Sequence, residues 1–196
     1  MKLACILMAS GYSGRFGENK LMAVYRGKTL FELAAESLPR EAFSDIVVVT
    51  QYEEIERMAK QDGFRCVRNP MEDPAVSRTI LLGLEAVEQS GADACMFCVC
   101  DQPCRTKGSL QKLIACYQAH PEKIAALDYR GRRGNPVIFP SRYFAELKSL
   151  KGDCGGSAVM KRHPEEIILS QAENELELMD VDTLEDLRRL PSAPAK

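Results

Sequence analysis

Cys5-Ile6-Leu7-Met8-Ala9-Ser10-Gly11-Tyr12-Ser13-Gly14-Arg15-Phe16-Gly17-Glu18-Asn19-Lys20 carries an apolar strand directly into a glycine-rich loop that contains Arg15 and ends in Lys20. Small residues at Ala9, Ser10, Gly11, Ser13 and Gly14 let a backbone approach an anion closely with its N–H groups turned inward, and the two cations balance phosphate charge. The stretch therefore points to a nucleotide. It is neither of the two common glycine motifs: no Gly-Lys-Ser/Thr follows, and glycines at 11, 14 and 17 do not make G-x-G-x-x-G. An ordinary strand-to-helix connection has the same appearance, so the remainder of the chain decides.

Outward from that loop, short apolar runs alternate with helical patterns. Strands are expected at 3–8, 46–50, 64–67 and 95–100, the first, second and fourth apolar on both faces as buried parallel strands are. Helices are expected at 30–38, 53–60 and 77–88, and Leu110, Leu113, Ile114 and Tyr117 mark another. This alternation implies a mostly parallel sheet covered by helices on both faces, with ligands at the carboxyl ends of the strands. After Pro121, strands at 124–127 and 136–139 flank the basic turn Tyr129-Arg130-Gly131-Arg132-Arg133-Gly134, a candidate second binding element. Helices at 141–150 and 157–161, strands near 167–169 and 177–179, and a helix from about 183 to 190 complete the reading. One domain over 1–190 with a tail at 191–196 is expected.

The 196 residues carry 26 Lys and Arg against 28 Asp and Glu, so the formal charge is −2. No overall positive field exists to draw nucleic acid or an anionic membrane, and any anion site must be local. The apolar opening is too short for a secretory leader or a membrane span, and a cytoplasmic location is expected. Eight cysteines raise the question of a metal. In the run Ala94-Cys95-Met96-Phe97-Cys98-Val99-Cys100, strand alternation puts Cys98 and Cys100 on one face and Cys95 on the other. Four ligands cannot converge from there, and small core hydrophobes in a reducing compartment are expected.

The fourth strand ends in Asp101-Gln102-Pro103, which places an acid where an α/β sheet presents its ligands. Asp101 is the metal candidate, because Mg²⁺ is usually held by one or two carboxylates plus substrate phosphates. Thr106 is better placed to cap the following helix. In Asp180-Val181-Asp182-Thr183-Leu184-Glu185-Asp186, a second carboxylate stands before the final helix, with Asp182 or Thr183 as its cap and either Asp180 or Asp182 as the ligand. Ser77, Arg78 and Thr79 open a helix whose free N–H groups and hydroxyls suit a base or a phosphate, with Ser77 as a plain cap the alternative. The two histidines, His120 and His163, each precede proline and belong to no Ser-His-Asp set. Phosphate-monoester nucleophiles need no such base, since their second pKa is about 6.

In order along the chain, Met8 to Lys20, Ser77 to Leu84, Asp101-Gln102-Pro103, Gly134-Asn135-Pro136, Gly152-Asp153-Cys154-Gly155 and Asp180-Val181-Asp182-Thr183 resemble the molybdenum cofactor nucleotidyltransferases, most closely the cytidylyltransferase branch. The resemblance implies a Rossmann-like nucleotidyltransferase domain of the GT-A type, a three-layer sandwich. It implies Mg²⁺-dependent transfer of CMP from CTP to the terminal phosphate of molybdopterin or molybdenum cofactor, with release of pyrophosphate. By position, Arg15, Lys20 and Asp101 would be catalytic, and Ala9, Ser10, Gly11, Gly14, Arg15, Lys20, Ser77 and Thr79 would bind nucleotide. Asn135 and Asp153 would face the acceptor, and Asp101 and Asp182 would hold the metal. Ser10 stands where cytidylyl enzymes have Ala and guanylyl enzymes Gly, Asn135 replaces a frequent His, and Ser157 replaces a frequent Arg. GTP as donor, a sugar or polyol phosphate as acceptor, and a non-catalytic accessory role toward a molybdoenzyme or its chaperone are the alternatives.

Overall fold

The computed structural model describes residues 1–11, 16, 19–70 and 75–191. The elements run β1 (Leu3–Ala9), β2 (Val24–Tyr25), β3 (Lys28–Thr29), α1 (Leu30–Glu36), β4 (Asp45–Thr50), α2 (Glu53–Gln61), β5 (Arg65–Arg68) and α3 (Val76–Gln89). There follow β6 (Ala94–Val99), α4 (Lys107–Ala119), β7 (Ile124–Tyr129), β8 (Arg132–Pro140), α5 (Phe144–Lys148), α6 (Gly156–Arg162), β9 (Ile167–Gln171) and α7 (Leu184–Arg189).

Seven strands form one sheet in the order β5-β4-β1-β6-β8-β7-β9. All neighbours are parallel except β8, which runs against both β6 and β7. Because β8 is inverted and pairs Val137 with Phe97, the residues preceding Val137 lie beyond the carboxyl end of β6. The turn from β7 to β8 thus joins the loops after β1 and β6 on one edge, the edge where parallel sheets take their ligands.

Period-2 alternation splits each central strand between two cores. Cys5, Leu7 and Ala9 of β1 pack with Phe31, Ile55, Leu110 and Tyr117 on the side of α1, α2 and α4. Ala4 and Ile6 pack with Ile80, Leu84, Phe144 and Val159 on the side of α3, α5 and α6. The expected three-layer α/β arrangement is what forms. A β-carbon added at Gly83 of α3 would sit 2.8 Å from Ile6 Cδ1, so that glycine lets the helix ride closely on β1. Cys98 and Cys100 lie in the first core and Cys95 in the second, as alternation required.

Two expectations need correction, and one element was not foreseen. The strand expected at 177–179 is a 3-10 turn, Glu175–Leu178, because the fully buried Glu177 is committed to polar partners. Its carboxylate accepts from Thr106 N (3.0 Å), Ser109 Oγ (3.0 Å) and Glu173 N (2.8 Å), which satisfies the start of α4 beside the Thr106 cap. The helix expected at 141–150 is a 3-10 turn, Ser141–Tyr143, followed by α5. Finally, β2 and β3 form a hairpin that periodicity over two-residue strands could not reveal. Its turn, Tyr25-Arg26-Gly27-Lys28, places Arg26 at φ 52° and Gly27 at φ 79°. The β7–β8 turn, Tyr129-Arg130-Gly131-Arg132, does the same with φ 51° and 87°. Two central residues at positive φ match the right-handed twist of a two-residue hairpin.

Candidate active site

The chain that leaves β1 is fastened to the end of β4 and the residues after it. Thr50 Oγ1 donates to Ala9 O (3.0 Å), Gln51 Nε2 to Ser10 O (2.9 Å) and Tyr52 Oη to Gly11 O (2.9 Å). Ser10 Oγ returns a bond to Val49 O (3.1 Å). Three successive carbonyls are therefore held toward β4 by three successive side chains, which fixes the peptide planes at the start of the loop. Arg15 and Gly14 lie outside the described residues.

Past the loop, Asn19 Oδ1 accepts from Leu21 N (3.2 Å) and starts the 3-10 turn Lys20–Met22. This cap aims Lys20 across the cleft. Its ammonium donates to Asp101 Oδ2 at 2.7 Å and to Asp182 Oδ1 at 2.9 Å. Three groups separated by 81 and 162 residues in sequence thus meet at one point. Burial works to lower the Lys20 pKa, but the charge and hydrogen bond of Asp101, followed by those of Asp182, outweigh it, and the ammonium is held above the ordinary lysine value.

Each acid is placed by its local chain. Asp101 tips β6, and its carbonyl accepts from Val181 N (2.8 Å). Gln102 Nε2 donates to Asp180 Oδ1 (2.8 Å), so the C-terminal segment is fastened to the strand tip twice. That bond directs Asp180 toward Gln102 and leaves Asp182 facing Lys20. Desolvation first, and the charge of Asp101 second, push the Asp180 carboxyl above the usual aspartate value. Thr183, not Asp182, caps α7, in a capping box with Asp186.

Two cavities share Met8, Val76 and Val99 as a common ridge. The smaller, about 180 Å³, is bounded by Ser10, Gly11, Lys20, Thr79 and Asp101. The larger, about 560 Å³, has a floor that includes Phe97, Phe139 and Met160 and a rim that includes Arg133, Asn135 and Lys161. Phe97 and Phe139 meet edge to face at 5.8 Å. Thr79 and Asn135 therefore line cavities, whereas Ala9 is fully buried behind the loop. Asp153 is exposed and lines neither cavity.

Ser77 is not a helix cap. It lies inside α3, and its N–H is taken by Gly152 O at 3.1 Å, while Arg78 N and Thr79 N bond to Ala75 O. The amides expected to be free there are committed to the protein. Thr50, Gln51, Tyr52 and Gln102 are the polar residues missed by sequence reasoning. The polar triplet that closes the apolar β4 is the signal that could have exposed the first three.

The donor set suits a divalent cation. Asp101 Oδ1 is buried and has no hydrogen-bond partner among the described residues, and two carboxylates converge on one cationic point. No group of three or more His, Cys, Asp or Glu able to hold a metal occurs among the described residues. No helix there is long and apolar enough to cross a membrane.

A mostly parallel α/β sheet with Lys20 and two aspartates gathered beyond the carboxyl ends of its strands presents its polar groups where such sheets take their ligands. The chain belongs to the family of MobA-like NTP transferase domains, whose model matches residues 5–167. It is 26% identical to the purine catabolism protein PucB of Bacillus subtilis, over 92% of each chain. It is 25% identical to nicotine blue oxidoreductase of Paenarthrobacter nicotinovorans, over 94% of each. Among solved structures, Rv0371c of Mycobacterium tuberculosis H37Rv superposes with a TM-score of 0.83 at 22% identity, over 96% of this chain and 97% of that one. The complex of Rv0371c with manganese superposes at 0.70 and 20% identity, over 96% and 97% of the two chains.

Proposed function

We propose that the protein transfers a nucleotidyl group, CMP from CTP, to the terminal phosphate of molybdopterin or molybdenum cofactor in a Mg²⁺-dependent reaction. The observation that carries this reading is the meeting of Lys20 and Asp101, which line the smaller cavity, with Asp182, next to a larger cavity with an apolar floor and a basic rim. The smaller space, beside Ser10, Gly11 and Lys20, suits the triphosphate. The larger suits a flat heterocyclic acceptor that carries a phosphate, its body over Phe97 and Phe139 and its charge toward Arg133 and Lys161. Asn135 lines that space and would orient the acceptor, with Asp153 assigned there by its motif alone.

Asp101 and Asp182 would hold Mg²⁺, which when bound neutralises charge on the phosphate oxygens and on the departing pyrophosphate. Lys20 supplies a further positive charge, and the motif assigns the same role to Arg15. A terminal phosphate oxygen of the acceptor forms a bond to the α-phosphorus, and the bond from that phosphorus to the bridging oxygen of pyrophosphate breaks. The acceptor oxygen is already largely deprotonated near neutral pH, so no protein base is required. Ser10, Gly11 and Thr79 are the nucleotide contacts of this reading, with Ala9, Gly14 and Ser77 supporting them by position in the motif.

The test is pyrophosphate release from CTP or GTP with Mg²⁺ and molybdopterin, with or without molybdate, and with a sugar phosphate as a second acceptor. Release that requires molybdopterin and favours CTP is expected. Absence of release with both nucleotides overturns the reading, and oxidation of NADH or NADPH by the same preparation with an added hydride acceptor would replace it with an oxidoreductase.

A further inference from the structure

We infer that Lys20 is a resident counter-cation, which keeps the divalent ion out of the nucleotide-free protein and yields its place only when nucleotide phosphates arrive. The inference rests on the transferase reading above and concerns the order in which that site is filled. The ammonium lies 2.7 Å from Asp101 Oδ2 and 2.9 Å from Asp182 Oδ1, so it already occupies the space between the two carboxylates.

An ammonium and a divalent ion cannot share that space, since like charges a few ångströms apart repel strongly in a partly dehydrated cleft. The lysine is also an incomplete substitute. One oxygen of each acid faces it, while Asp101 Oδ1 stays buried without a hydrogen-bond partner among the described residues. Incoming phosphates offer the ammonium better acceptors on a flexible four-carbon stem and free both carboxylates together. Metal and nucleotide then enter as one complex, and the empty protein does not hold an ion that could hydrolyse stray phosphates.

The experiment is a Mn²⁺ titration of the nucleotide-free protein, followed by the electron paramagnetic resonance signal of the free ion. It contains neither nucleotide nor acceptor, so its result is separate from that of the pyrophosphate assay. Lys20→Met should bind Mn²⁺ about tenfold more tightly than the natural protein, a coupling of ordinary size for two ligands that exclude one another. Lys20→Arg should stay as weak as the natural protein, and Lys20→Met combined with Asp101→Asn should lose the gain. Equal affinity in Lys20→Met and the natural protein overturns the inference, as does a gain that survives Asp101→Asn. Lys20→Gln is titrated in parallel and carries the test if the methionine variant does not fold.

Discussion

The two cavities that meet at Met8, Val76 and Val99 differ in how their polar groups are held. The smaller, lined in part by Met8, Leu21, Val76 and Val99, is bordered by polar groups held by specific bonds: Lys20 between two aspartates, the carbonyls of residues 9–11 by Thr50, Gln51 and Tyr52, the C-terminal segment by Gln102 and the Asp101 carbonyl. The larger is a surface of hydrophobic and aromatic side chains drawn from several elements, with charge only at its rim. On the proposed reading, chemistry belongs in the first, once Lys20 has turned from the carboxylates to the phosphates, and choice of acceptor in the second.

The largest expected effect tests that division at the polar side. Asp101→Asn should lower kcat for pyrophosphate release about 10²–10³-fold, the size usual for removing a preorganised electrostatic partner. Calorimetric nucleotide affinity should change much less, because the tethered loop remains. A comparable loss of both would merge the two functions that the comparison separates.

A middle-sized effect belongs to the apolar side. Arg133→Ala and Lys161→Ala should each raise the acceptor KM about tenfold, in line with loss of a charge-assisted hydrogen bond, and leave nucleotide affinity unchanged. If KM for the nucleotide rises instead, the rim serves the triphosphate and the partition is wrong.

The smallest effect is one of pH on the wall of the larger cavity. Glu146 of α5 accepts from Arg162 Nη1 at 2.6 Å and pairs with His163 Nε2 at 2.8 Å, which ties α5 to the end of α6. Burial works to raise its carboxyl pKa, but the bonds from His163 and Arg162 prevail and hold it below the usual glutamate value of 4.5. A folded-state pKa below the unfolded one means a contribution to stability that is present above pH 4.5 and lost as pH falls through the folded value. Melting temperatures of Glu146→Gln and the natural protein should therefore differ above pH 5 and converge toward pH 3. A difference that persists at low pH would show that packing, not charge, joins the two helices.

Legibility followed the same division. β1, β4 and β6 are continuous apolar runs and could be read directly, and Asp101 could be read because a lone acid at the end of such a run has no structural reason to be there. Lys20 could be read from the loop that it ends, but Asp182 was singled out as a ligand only through the ordered motifs, since nothing in a linear pattern brings positions 20, 101 and 182 together. The apolar cavity was not legible: Phe97, Phe139 and Met160 look like core residues, and only the inverted β8 leaves a gap among them. The Tyr-Arg-Gly turn was noticed at 129–131, where strands flank it, and missed at 25–27, where the strands are two residues long. Glu177 misled the strand expectation because a buried carboxylate breaks alternation for reasons that lie 71 residues away, at Thr106.

At Gly134, the first residue of the motif that supplies Asn135, a β-carbon would stand 2.7 Å from Leu178 Cδ2, and the turn that carries Leu178 runs on to Asp180 and Asp182. Gly131, a few residues earlier in the same hairpin, has open space around it and is constrained by its backbone angle alone. A side chain at 134 therefore meets a neighbour that it would not meet at 131. Alanine there would press on the end of the buried Leu178 side chain, two residues before Asp180, so a change in the β7–β8 hairpin would be felt first in the packing of the segment that carries Asp182.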